Sequence, residues 1–149
     1  MNVGSFITSE KETYGIFSDG YAQSVTDEFI FEYNSLRDVL EKDSLSLMYE
    51  NALGTSKLKH SKIQFLPPLI NPTKIICVGM NYRKPYPIDG QKVSDPNNII
   101  LFGKNREAML AHLDFLESPF GDASNSFDYE GEIAVVIGKE ARNISPASA

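Results

Sequence analysis

The stretch that decides the fold is Phe127–Ala149, "FDYEGEIAVVIGKEARNISPASA". Successive residues of an extended chain point to opposite sides. Read as a strand, Asp128, Glu130, Glu132, Ala134 and Val136 share one face, and Tyr129, Gly131, Ile133, Val135 and Ile137 share the other. Both faces turn apolar after Glu132, which is the pattern of an interior strand rather than a half-solvated edge. Acids at the entrance of such a strand need a reason. Neighbouring carboxylates repel, and burial disfavours their charged form unless a cation offsets it. A hard divalent ion offers that compensation, because carboxylate oxygens are its preferred donors. The alternative is that all three acids sit in water at the strand's end, and spacing alone leaves both readings open.

Working outward, two more short apolar runs read as strands: "KIICVG", ended by Gly79, and "IILFG". Between them "NYRKPYPIDGQKVSDPNN" is loop-like, with prolines and a Asp-Gly turn signal. "NREAMLAHLDFLESPFG" has partial helical spacing at Met109, Leu110, Leu113 and Leu116, and "ESPFG" ends it. "FLPPLINPTK" marks a boundary, because clustered prolines sustain neither a helix nor a central ladder and stiffen a linker. Before it, "VGSFIT", "TYGIFS" and "YAQSVT" read as a β-meander punctuated by "SEKE" and "SDG". Asn34 or Ser35 can cap a helix presenting Leu36, Val39 and Leu40. Ser44 can cap a second with Leu45, Leu47, Met48 and Leu53, stopped at Gly54. The expected fold is α+β and mainly β: an N-terminal α+β domain over residues 1–66, a proline-rich linker over 67–74, and the opening strands of a mixed β-roll over 75–149.

Composition narrows the function classes. The chain has 149 residues, 42% of them hydrophobic, so it can bury a core. Fourteen basic residues against twenty acidic ones give −6, which is not a nucleic-acid footprint. No apolar run reaches membrane-spanning length, and the N-terminus has no signal-peptide pattern. The single cysteine, Cys77, reads as a small buried residue in "IICV" with no activating base beside it, and a reducing cytoplasm is its natural setting. The two histidines, His60 and His112, read as surface or packing residues.

"KIICVGMNY", "IILFGK" and "FDYEGEIAVVIGKEARNISPASA", in that order and spacing, resemble the fumarylacetoacetate hydrolase family, and the meander, helices and proline-rich lead-in resemble its N-terminal domain. Within it the likeness is to dioate isomerase and decarboxylase members. The resemblance implies that Glu130 and Glu132 bind a divalent cation, Mg²⁺ or Mn²⁺, with Asp128 outside the ligand set. It implies a 2-oxo or diketo acid substrate, chelated so that an enolate is stabilised. Lys104 then faces the substrate's anionic end, with an exposed lysine at a strand terminus as the plain alternative. Asn81 and Tyr82 line the pocket or serve packing and turns. A homodimer is the usual family assembly.

One departure bears on the reaction. Hydrolase and decarboxylase members often carry, after the Asn-Tyr pair and two further residues, a histidine with a glutamate shortly after, which act as an acid–base dyad that activates water. Here Pro85 holds the histidine position, and no His or Glu occurs from Asn81 to Asn98. Proline accepts no proton, so enol–keto isomerisation or decarboxylation is favoured over C–C hydrolysis. Ser145 and Pro146 form a helix-start signal just before Ala149. The resemblance places a third metal ligand and much of the β-roll beyond that point. The expectation is therefore the N-terminal part of a metal-dependent enzyme, inactive as an isolated 149-residue chain. The alternatives are a non-catalytic remnant or a metal-free binding module on the same fold.

Overall fold

The structure is a computed structural model and describes residues 2–9, 11–82 and 96–148. It is α+β and mainly β, as expected. Packing groups the backbone into two compact units, residues 1–69 with 110–149, and residues 70–109.

The first unit is built on the meander. Strands β1 (Asn2–Ile7), β2 (Glu12–Ser18) and β3 (Tyr21–Ser24) pair antiparallel in sequence. Two short strands complete a five-stranded sheet: β4 (Leu58–Lys59) pairs with β3, and β5 (Gln64–Phe65) returns to pair with β1. The spatial order is β4-β3-β2-β1-β5, so the first strand of the chain is interior to the sheet. Gly15 sits where β2 meets β3. A side chain there would collide with the Gln23 carbonyl and lie 2.9 Å from Ser24 Cα, so only glycine fits this close approach.

The register places Val3, Tyr14, Ile16 and Gln23 on one face. That face packs on helices α1 (Asp27–Glu32), α2 (Leu36–Glu41) and α3 (Leu45–Leu53), where Val25, Tyr33, Leu36, Val39, Met48 and Ala52 close the core. The helices are short, so tertiary burial rather than propensity sustains them. Thr26 caps α1 by accepting from the Phe29 amide at 3.3 Å, and Ser35 caps α2 by accepting from the Asp38 amide at 3.3 Å. The sequence reading has no helix over 27–32, although Thr26 followed by Asp27 and Glu28 is a start signal. Ser44 is a second departure: it stands at the N-cap of α3 without a side-chain cap bond. Its hydroxyl instead lies 3.1 Å from the Tyr33 hydroxyl, inside the core. It faces two acceptors, the buried Tyr33 phenol oxygen and the Lys42 carbonyl at 3.1 Å, and so is turned away from the amides of the helix start.

Gln23 ties sheet to helix. Its side-chain amide is buried and donates to the carbonyls of Ala52, Leu53 and Thr55 at 3.1, 3.2 and 2.9 Å. The first two are carbonyls that the end of α3 leaves without intrahelical partners, and Thr55 follows just past the Gly54 cap.

The opposite face of the sheet carries an aromatic layer. Phe6 is fully buried, with Phe17 edge-on at 5.4 Å and Phe65 stacked on Phe17 at 5.8 Å. Ser5 fixes the chain leaving β5: its hydroxyl donates to the Pro68 carbonyl at 2.9 Å, and its carbonyl accepts from the Leu66 amide at 3.1 Å.

The second unit contains an antiparallel pair, β6 (Ile75–Gly79) and β7 (Ile100–Lys104), with Ile75 opposite Lys104 and Gly79 opposite Ile100. Both apolar runs that read as strands are strands. Among the described residues no helix is long and apolar enough to cross a membrane.

Candidate functional site

Glu130 and Glu132 lie in a stretch, residues 127–138, that has no ladder partner among the described residues. This corrects the expectation of an interior strand over "EIAVVIG": Ile133 is 87% exposed and Ile137 78%. Alternation supplies the side-chain pattern of a strand, but ladder bonds and cover on both faces must come from neighbouring strands. Both carboxylates are exposed, and neither makes an ion pair or hydrogen bond among the described residues. Asp128 differs, because its carboxylate accepts from the adjacent Tyr129 amide at 2.8 Å.

The donor set fits a hard divalent cation in kind and not yet in number. Two carboxylates one residue apart offer only oxygen donors, the type Mg²⁺ and Mn²⁺ take. Among the described residues no group of three or more His, Cys, Asp or Glu side chains gathers into a metal cage.

The other anticipated residues lie in the second unit. Lys104 ends β7 and is exposed. Asn81 and Tyr82 follow β6 and are also exposed, Tyr82 by 56%. Met80, between strand and Asn-Tyr pair, has a left-handed backbone with φ 53°, which turns the chain sharply as it leaves β6. Pro85 lies outside the described residues. Cys77, expected to be buried, is half-buried, since among the described residues β6 pairs with β7 alone.

Both histidines lie against aromatic rings, within the surface or packing roles their sequence settings imply, and His112 is exposed. His60 sits edge-on to Phe17 at 5.7 Å and to Phe65 at 5.3 Å, and His112 lies edge-on to Phe65 at 5.0 Å. His60 Nε2 is closed off from solvent without a hydrogen-bond partner among the described residues. The ionisable group most displaced from ordinary behaviour is one the sequence did not single out. Burial, with the nearby Asp38 charge, pushes the Tyr14 phenol well above its usual range. Its hydroxyl donates to the Tyr33 carbonyl in the helix core, a structural rather than chemical post.

With this arrangement in view, comparison with known proteins is informative. The family description "Fumarylacetoacetate (FAA) hydrolase C-terminal" matches residues 74–149, half of the chain. The chain belongs to the fumarylacetoacetate hydrolase family. It is 37% identical over 114 residues to the mitochondrial oxaloacetate tautomerase fahd2 of Xenopus laevis, covering 68% of this chain and 34% of that protein. It is 31% identical over 124 residues to the oxaloacetate tautomerase YisK of Bacillus subtilis, covering 83% of this chain and 39% of that protein. A human mitochondrial oxaloacetate tautomerase, FAHD2A, is 36% identical over 95 residues, covering 62% of this chain and 28% of that protein. The chain thus spans about a third of the length of the curated relatives it matches. No solved structure matches it.

Proposed function

We propose that this chain supplies the N-terminal part of a divalent-cation-dependent enzyme that interconverts the enol and keto forms of a 2-oxo acid, with oxaloacetate as the leading substrate. The observation that carries the reading is the E-x-E pair, Glu130 and Glu132, inside the matched family region and free of any basic partner among the described residues. Relatives named as oxaloacetate tautomerases support the reaction class. Glu130 and Glu132 hold the cation, with Mg²⁺ or Mn²⁺ as the ion. The bound ion would supply Lewis-acid stabilisation of enolate charge on the 2-oxo acid. Lys104 presents a point positive charge toward the substrate carboxylate, and Asn81 and Tyr82 contribute polar groups at the exit of β6. Pro85 offers no proton acceptor, which favours tautomerisation over hydrolysis.

Two carboxylates alone make a weak site, so the 149-residue chain by itself is expected to show negligible turnover. The test has two arms. Calorimetric titration with Mn²⁺ should show binding by the chain that disappears in the E130Q/E132Q double variant. A chimera that joins the chain to the remaining two thirds of the Bacillus relative should convert oxaloacetate enol to keto, followed by enol absorbance. The same chimera with E130Q/E132Q should lose at least ~10²-fold in rate, in line with removing charge stabilisation at the reacting centre. A folded chimera whose rate and metal dependence survive both substitutions would sink the proposal.

A further inference from the structure

We propose that Pro67 guards the open edge of the N-terminal sheet: it withholds a backbone donor that a second copy of this chain would use to pair its own β5 there. Among the described residues β5 is the last strand on its side of the order β4-β3-β2-β1-β5, so one flank has no neighbour. Such a flank is a template for another strand. Backbone groups alternate between the two flanks of a strand. The Leu66 amide donates to the Ser5 carbonyl, so Leu66 and the residues two positions from it address β1. The Pro68 carbonyl follows the same alternation, accepting from the Ser5 hydroxyl at 2.9 Å. Ile63, Phe65 and Pro67 therefore address the open flank. The Ile63 amide is engaged with the His60 carbonyl at 3.3 Å. Pro67 has no N–H. Phe65 is left as the outward donor between them.

The occupant that this guard excludes follows from charge. Residues 63–69, IQFLPPL, carry none. The opposite edge of the sheet differs, because β4 and the turn after it hold Lys57, Lys59 and Lys62 with no acid among residues 57–62. Lysines there repel a second copy. An uncharged edge meets its own copy without repulsion, and antiparallel pairing about a two-fold axis is self-complementary. With Phe65 opposite its counterpart, position 67 lies opposite Ile63 of the other copy. A donor at 67 reaches that carbonyl twice, once from each copy. The two prolines divide the task. Continuing the β1–β5 register sets Pro68 opposite Val3, so Pro68 ends the inner ladder while Pro67 ends the outer one. The segment is held in this orientation by the Ser5 bond and by Leu69, which packs on the helix-side core as Val3 does.

Sedimentation velocity over a range of concentrations reads self-association of the 149-residue chain and of its P67T, P68T and P67T/Q64K variants. One added bond per copy makes two per pair, which should strengthen association about ten-fold in P67T relative to wild type. P68T adds its donor toward Val3 instead. It should associate as wild type does, and hydrogen exchange should show a newly protected amide at position 68. A lysine at the exposed Gln64 position brings like charges together across the axis, so P67T/Q64K should return to wild-type behaviour. Circular dichroism melts check the fold, and P67A, which supplies the same donor on a smaller side chain, replaces P67T if its melt departs from that of wild type. Sedimentation of the position-67 variant identical to wild type overturns the proposal. Equal association in P68T also overturns it, because loosening of the segment rather than an outward donor would then be the cause. Association in P67T that Q64K leaves intact is a third refutation, since another surface would carry it.

Discussion

Gln23→Leu removes one amide and tests how the sheet is bolted to the helices. The side chain is 4% exposed, and its NH₂ serves three carbonyls with two hydrogens. The three losses are unequal. The Ala52 carbonyl keeps the Thr55 hydroxyl at 2.9 Å and the Thr55 amide at 3.1 Å, so it stays satisfied. The Leu53 and Thr55 carbonyls accept from no other donor among the described residues and lie partly buried, at the end of α3 and just past it. A buried acceptor left without a donor costs about 1–3 kcal/mol. Partial burial puts these two at the low end, for a combined loss of about 2–4 kcal/mol against a small gain from leucine's apolar surface. A domain of this size typically shifts its Tm by about 4–8 °C per kcal/mol. The expected fall is therefore on the order of 10 °C or more, with a lower urea midpoint at unchanged slope. Far-UV circular dichroism through a thermal melt reads the effect, and tyrosine fluorescence checks it in a chain without tryptophan. Gln64→Leu, at an exposed position of β5, is the matched control and should stay within about 0.5 kcal/mol of wild type. A Q23L melt indistinguishable from that of Q64L would show that the three carbonyls are served by water and that the Gln23 clamp is incidental.

Two further perturbations follow from the same core. Tyr14→Phe removes the bond to the Tyr33 carbonyl and should cost about 1 kcal/mol at neutral pH. It should also change alkaline behaviour. The folded phenol titrates above the ordinary value of 10.0, so its contribution is intact below that value and is lost as pH rises beyond it. Wild type should therefore lose more stability than Y14F between pH 9 and about 11, measured by urea midpoints across that range. Met48→Ala opens a cavity at a fully buried site packed among Tyr14, Val39 and Ala52. Equilibrium unfolding should report about 2–5 kcal/mol of lost stability.

What was legible in the sequence follows the range of the interactions involved. The meander could be read because its pairings are local: "SEKE" and "SDG" connect strands that bond to their immediate successors. The Ser35 cap and the Gly54 stop are likewise set within a few residues. The apolar runs of β6 and β7 announced themselves by composition, and Lys104 lies at the strand end where its motif placed it. Short-range signals failed where a distant partner decides the outcome. Ser44 looks like a cap until Tyr33 claims its hydroxyl. Gln23 looks like a polar strand residue until the carbonyls at the end of α3 reach it. "EIAVVIG" reads as an interior strand, but interior is a property of neighbours, and alternation within one segment cannot supply them. Glu130 and Glu132 were legible as two neighbouring carboxylates, while the run that carries them has no ladder partner among the described residues.

The position of β1 has a consequence for how this chain is made. β1 leaves the ribosome before β5, yet one of its two ladders waits for that strand, and the Ser5–Pro68 bond spans 63 residues. The hairpin with β2 can form early, while the flank that β5 closes stays open until Phe65 has left the ribosome. Until then β1 is a temporary edge, available to another nascent chain. For the same reason, shortening the N-terminus would not trim a border. It would pull a middle plank from the sheet and leave β2 and β5 facing a gap that neither can cross.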